Sequence, residues 1–108
     1  MDELVKTFIK SANAFDVERA LALFGSNAVI EDASVGESFA GVAGIRRYLQ
    51  QFFVGYKTTS KLLSIEQISD SSVIARIDFT GDFGHEIGSL RIAINPDGLI
   101  ERIDADLE

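Results

Sequence analysis

The spacing of apolar residues changes from helical to strand-like about half-way along the chain. In the first half they recur every three or four positions, which is typical of amphipathic helices. This pattern predicts a first helix with Leu4, Val5, Phe8, Ile9 and Ala12 on its buried side. A second, short helix is predicted between Asp16, a favoured N-cap residue, and Gly25. A third helix is predicted from Val42 to Phe53.

The remaining segments have the pattern of strands. The run from Ala28 to Asp32 predicts one strand between the second and third helices, and a loop from Ala33 to Ala40 follows it. After Gly55 four further strands are predicted, at about 57–68, 73–79, 89–94 and 102–107. The first of these four lacks strict alternation and is predicted to be irregular. A turn is predicted at Asn95-Pro96-Asp97-Gly98.

This order of elements predicts an α+β fold with a single domain over residues 1–108. The later strands each have one apolar and one more polar face, as in a sheet covered on one side. We therefore expect a curved mixed or antiparallel sheet wrapped around three helices from the first half of the chain. Such a sheet would enclose an apolar pocket, and small-molecule sites favour cavities of this kind.

Composition excludes several classes of function. The formal net charge is −7 and the acidic and basic residues are interleaved, which argues against nucleic acid and anionic membrane surfaces as partners. No cysteine is present, so disulfides, thiolate catalysis and cysteine-ligated metals are excluded. No apolar run approaches the ~20 residues of a membrane span, and no signal-like stretch opens the sequence. We expect a cytoplasmic location.

The most specific sequence pattern runs from Phe24 to Leu49. It comprises Phe24-Gly25-Ser26-Asn27-Ala28-Val29-Ile30-Glu31-Asp32, a glycine-bearing loop, and Gly41-Val42-Ala43-Gly44-Ile45-Arg46-Arg47-Tyr48-Leu49. In this segment the chain resembles the ketosteroid isomerase-like group of the nuclear transport factor 2-like superfamily, which includes SnoaL-like polyketide cyclases. The resemblance extends over essentially the whole chain. The resemblance implies a cone-shaped α+β roll with an apolar pocket, and a homodimer formed through the outer face of the sheet.

Asp32 is the leading candidate for chemistry. The resemblance implies that this aspartate, at the end of the first strand, is a proton-shuttling general base. The alternative is that Asp32 only caps its own loop, as aspartate often does at turns. The hydrogen-bond donors of the steroid isomerases fall by spacing on Phe8 and Leu90, which cannot donate. Efficient steroid isomerisation is therefore not expected, because losing one such donor typically costs about 10²–10³ in rate.

Two further polar residues are candidates for the site. Tyr48, on the apolar face of the third helix, could donate to a carbonyl in the pocket, or could be a core aromatic. His85, the only histidine, has a side chain suited to proton transfer but lies in a glycine-containing turn, where it would more often be exposed. No metal is expected, because no metal-ligand spacing is evident. No cofactor is expected, because no phosphate-binding glycine loop follows a strand.

Alternation assigns an inward set of residues that fill a core or line a pocket. The predicted pocket lining is Phe8, Ala12, Phe24, Leu49, Phe52, Val73, Ala75, Ile77, Phe79, Leu90, Ile92, Ile103 and Ala105. The charged residues Arg76, Asp78, Arg91, Arg102, Asp104 and Asp106 are predicted to face outward. The resemblance implies a small isomerase-, cyclase- or hydratase-type enzyme that acts on an apolar carbonyl-containing substrate. The alternative is a non-catalytic module for apolar-ligand binding or dimerisation.

Overall fold

A computed structural model describes residues 1–108 as helices packed against one face of a six-stranded sheet. The helices are α1 (Asp2–Asn13), α2 (Val17–Leu21) and α3 (Gly41–Tyr48), and a π-helical segment (Leu49–Val54) continues α3. The strands are β1 (Phe24–Asp32), β2 (Glu37–Ala40), β3 (Thr59–Ser69), β4 (Ser72–Gly81), β5 (Gly84–Ile94) and β6 (Ile100–Leu107). The predicted α+β cone is confirmed. No helix is both long and apolar enough to cross a bilayer.

The sheet is mixed and open, with the order β2-β1-β6-β5-β4-β3. All neighbouring strands are antiparallel except β1 and β6, which run parallel. Twenty-two buried apolar residues form one core between the sheet and the helices. Because β6 runs parallel to β1, the C-terminal ends of the two strands lie side by side, with Asp32 next to Ala105.

The predicted loop from Ala33 to Ala40 was wrong in one respect, since its second half forms β2. This strand pairs antiparallel with β1, and Phe39 is its one buried side chain. A single apolar residue among polar neighbours gives no visible alternation, so the pattern did not reveal the strand. β2 closes the edge of the sheet next to β1.

The start of β1 differs from the prediction, whereas the predicted irregularity of β3 is present. β1 begins at Phe24 and not at Ala28, with a register shift between Phe24 and Val29 that explains the weak signal from Gly25 to Asn27. β3 has register shifts between Leu62 and Ser64 and between Gln67 and Ser69, which confirms the predicted irregularity.

Two local signals in the sequence act as predicted. The Asp16 side chain accepts a hydrogen bond from the Arg19 backbone N–H at 3.2 Å and so caps α2. In the turn before β6, the Gly98 N–H donates to the Asn95 carbonyl at 3.0 Å, and Gly98 adopts φ +79°. Only glycine adopts that conformation readily.

The third helix reaches the predicted end but changes its winding. After Tyr48 the backbone becomes π-helical, and the Gly55 N–H donates to the Gln50 carbonyl at 2.8 Å, five residues back. A π turn is wider than an α turn and often occurs at functional sites. Here it brings two consecutive aromatic residues, Phe52 and Phe53, to the inner end of the cone.

Candidate functional site

Asp32 lies at the end of β1 with its side chain turned toward the interior. It follows the fully buried Ile30 on the same face of the strand, and only 7% of its surface is exposed. Its Oδ1 accepts hydrogen bonds from the Ser34 N–H at 3.0 Å and from the Ser34 hydroxyl at 2.5 Å. The turn after β1 therefore fixes the carboxylate from one side.

Tyr48 holds the same carboxylate from the other side. As the last residue of α3, it donates its hydroxyl to Asp32 Oδ2 at 2.6 Å in a buried contact. Burial raises the pKa of the Tyr48 phenol well above its ordinary value, and the negative charge of Asp32 and the hydrogen bond to it add to the effect. Tyr48 is thus a neutral hydrogen-bond donor at physiological pH.

A cavity of about 300 Å³ opens beside this pair and is bounded by sixteen residues, eleven of them hydrophobic. Five of the predicted lining residues are present: Phe52, Phe79, Leu90, Ile103 and Ala105. The cavity lies at the low end of ligand-pocket volumes, which are roughly 300–1,000 Å³. It combines an apolar wall with one buried polar pair, the usual composition of a small-molecule site.

The other predicted lining residues belong to the packed core and do not border the cavity. They are Phe8, Ala12, Phe24, Leu49, Val73, Ala75, Ile77 and Ile92, and all are buried. Alternation identifies the inner face of a strand but does not show how far along it the cavity extends. Of the three alanines in the predicted lining, Ala105 borders the cavity, while Ala12 and Ala75 are buried in the core.

The structure does not bring His85 to this site. Its Nε2 lies 2.6 Å from Asp78 Oδ1, the ring is largely exposed, and the residue does not border the cavity. Tyr56, by contrast, lies at the cavity mouth, with 42% of the residue's surface exposed. Asp32 and Tyr48 are therefore the two candidate polar residues that the fold places in contact.

Sequence reasoning missed Glu86 and Phe83 as cavity residues. β5 begins at Gly84, five residues before the predicted start at Ser89, because the glycines at 84 and 88 hide its alternation. Extending the period back from Leu90 through Gly88 to Glu86 would have placed the carboxylate on the inner face. The structure contains no group of three or more His, Cys, Asp or Glu residues arranged to hold a metal ion.

Comparison with known proteins agrees with this architecture. The family model described as "SnoaL-like domain" matches residues 5–101. No relative was found among curated proteins. Among solved structures, SalBIII, described as an epoxide hydrolase/cyclase-like enzyme of pyran ring formation in salinomycin, is 20% identical with a TM-score of 0.88; the match covers 99% of this chain and 89% of that one.

Two further structures share the fold. A protein of Sinorhizobium meliloti, provisionally named a polyketide cyclase, is 20% identical with a TM-score of 0.85 over 95% of this chain and 93% of that one. A Mycobacterium tuberculosis protein crystallised with estradiol-17β-hemisuccinate is 18% identical with a TM-score of 0.81 over 94% of this chain and 88% of that one. At these identities the similarity establishes the fold alone.

Proposed function

Because the chain belongs to the SnoaL-like family, we propose that it binds a small, largely apolar molecule in its cavity and converts it with Asp32 as general base. The observation that carries the proposal is the buried 2.6 Å hydrogen bond between Tyr48 and Asp32 at the wall of an apolar cavity. Two structural neighbours support an apolar ligand: one is named a polyketide cyclase, and the other was crystallised with a steroid ester.

The cavity volume limits the size of the ligand. About 300 Å³ equals the liquid volume of about ten water molecules, so we expect a ligand on the order of ten to fifteen non-hydrogen atoms. Its polar group would face the Asp32–Tyr48 pair, and its apolar body would contact the aromatic wall. A carbonyl compound fits this division, since Tyr48 can donate to its oxygen.

The proposed step is proton transfer to and from a carbon next to that carbonyl. Tyr48 would shift its hydrogen bond from Asp32 to the carbonyl oxygen and stabilise the enolate as charge develops there. The freed Oδ2 of Asp32 would take the proton from carbon and return it at another position or to another atom. Isomerisation of an enone, aldol-type cyclisation and elimination of water next to a carbonyl can each begin with such a transfer. Leu90 lines the cavity and Phe8 lies in the core, so neither supplies a second donor.

The alternative is a module that binds an apolar ligand without converting it. One observation favours it: Ser34 and Tyr48 already occupy both oxygens of Asp32, as expected for a carboxylate that stabilises its own loop. Binding by the wild-type protein without any exchange of substrate protons would support this module.

The experiment is deuterium exchange into a panel of small cyclic ketones and enones, followed by nuclear magnetic resonance. We expect wild-type protein to catalyse exchange next to the carbonyl, and Asp32→Asn to slow it by about 10²–10⁴-fold, the usual contribution of a general base. Asp70→Asn, in the exposed turn between β3 and β4, is the matched control and should keep the wild-type rate. Undiminished exchange in folded Asp32→Asn would contradict the proposal.

We also propose that two copies associate through the outer face of the sheet. A groove of about 580 Å³ crosses this face between β2 and β4. The residues that border it include Glu31, Glu37, Ile74, Arg91, Asp104 and Asp106. A twofold axis there would place Arg91 of each copy against carboxylates of the other. A cytoplasmic location stays a prediction from the sequence.

A further inference from the structure

Two carboxylates and no basic side chain face the cavity. None of the sixteen bounding residues is Lys, Arg or His. Asp32 lies at the inner wall of the cavity. Glu86 is the cross-strand partner of Phe79, and both of these residues border the cavity, so the Glu86 side chain also lies on the inner face of the sheet. Asp106 also borders the cavity, but strand alternation turns its side chain outward, where it accepts from the Leu107 N–H.

Aromatic rings make up a large part of the cavity wall. The six residues are Tyr48, Phe52, Phe53, Tyr56, Phe79 and Phe83. A continuous row runs from the buried pair to the mouth, with ring centroids 5.0 Å apart for Tyr48–Phe52, 6.0 Å for Phe52–Tyr56 and 6.1 Å for Tyr56–Phe83. The faces of such rings carry partial negative charge and attract cations, quaternary ammonium groups above all.

From this combination we propose that the ligand is an organic cation, an amine or quaternary ammonium compound with an apolar body. The inference rests on the proposed function, because it assumes that the cavity is the binding site. The ammonium group would lie near the mouth, between Glu86 and the rings of Tyr56 and Phe83. The reacting end would reach Asp32 and Tyr48 at the inner wall.

The same electrostatics exclude anionic ligands. A carboxylate or phosphate in this cavity would give up its hydration beside two like charges, with no cationic side chain to compensate. The formal net charge of −7 adds a long-range repulsion of anions and an attraction of cations. The charges therefore favour cationic over anionic ligands both during the approach to the cavity and inside it.

Three aromatic probes of similar size test the inference: phenethyltrimethylammonium, neutral phenylpropanol and anionic phenylpropanoate. Their dissociation constants are measured by nuclear magnetic resonance titration at fixed ionic strength. We expect the cation to bind at least about tenfold more tightly than the alcohol, and the anion to bind most weakly. Glu86→Gln should reduce the preference for the cation over the alcohol by about three- to tenfold and leave the affinity for the alcohol unchanged.

Glu66→Gln, at an exposed position of β3, is the matched control, because it removes the same charge away from the cavity. It should leave the preference intact. If the alcohol or the anion binds as tightly as the cation, the charge inference is overturned while the ligand-binding cavity stands. If none of the three probes binds, the cavity is not a binding site, and both proposals fail.

Discussion

At the residue scale, Asp32 and Tyr48 constrain one another. The phenol fixes one oxygen of the carboxylate, and the charge of the carboxylate helps to keep the phenol protonated. Sequence reasoning placed each residue on an inward face but could not show their contact. They are sixteen positions apart, and the contact depends on how α3 crosses the end of β1.

The raised pKa of Tyr48 predicts a loss of stability in alkaline solution. The folded protein holds this proton more tightly than the unfolded chain, whose tyrosine pKa is about 10. The stabilisation is therefore fully present below about pH 10 and decreases as the pH rises toward the folded pKa, by up to about 1.4 kcal/mol per pH unit. Denaturant unfolding of wild type and Tyr48→Phe across this range measures it.

Tyr48→Phe should show a shallower alkaline slope than wild type, and Tyr56→Phe is its matched control. Tyr56 lies at the mouth and donates no hydrogen bond to Asp32, so its replacement should leave the Tyr48-dependent slope in place. Equal slopes for wild type and Tyr48→Phe would show that the phenol is not held protonated by the fold. At neutral pH, Tyr48→Phe should cost about 1–3 kcal/mol, because it removes a donor to a buried carboxylate.

At the scale of elements, β2 has the weakest strand pattern in the sequence, yet its packing supports the candidate site. It lies next to β1 and supplies Phe39, which is fully buried. The Phe39 ring meets Tyr48 edge-on at 4.9 Å between centroids, and the Arg47 guanidinium lies 4.4 Å from its centre. Packing from β2 therefore orients the phenol that bonds Asp32.

Phe39→Ala should destabilise the protein by about 3–5 kcal/mol, the usual cost of emptying a buried aromatic site. For a domain of this size that is a fall in Tm of at least about 12 °C. Phe15→Ala is the matched control, since Phe15 is 41% exposed and should change Tm far less. Calorimetry measures both variants. A small shift for Phe39→Ala would mean that β2 does not support the site.

Most of the elements could be predicted from periodicity because each presents several apolar residues at one spacing. The α1 helix and β4 are examples, with buried residues at the predicted positions. The remaining features of the fold depend on tertiary contacts, which the spacing of apolar residues does not reveal. β2 has one buried residue, the start of β5 is hidden by glycines, and the π turn after Tyr48 depends on packing within the cone.

At the scale of the whole molecule, charge dominates the proposed dimer face. Five acidic residues border the groove, Glu31, Asp32, Glu37, Asp104 and Asp106, against one base, Arg91. Repulsion between two copies should therefore outweigh the cross-pairs at low salt. Screening shortens the range of this repulsion from about 30 Å at 0.01 M salt to about 8 Å at 0.15 M. Association should strengthen over that range.

Sedimentation velocity measures this association, with a dimer at twice 11.8 kDa. Arg91→Glu should weaken it by at least about tenfold, because it removes the only cation from the groove. Lys10→Glu, at an exposed position of α1, makes the same charge change elsewhere and should have a much smaller effect. A wild-type monomer at every salt concentration up to about 1 M would exclude the proposed dimer.

Because β6 lies between β1 and β5, the candidate site can form only after β6 has been synthesised. β6 lies between β1 and β5, and the Ala33 N–H next to Asp32 donates to the Ala105 carbonyl at 3.0 Å. Until residues 100–107 have left the ribosome, no strand joins the β1–β2 pair to β5, and the cavity lacks Ile103 and Ala105 from its wall. Such pairing between distant segments also slows folding. A nascent chain that ends before β6 has the segments of the helices and of the β3–β4–β5 meander, but it lacks the strand that completes the cavity wall.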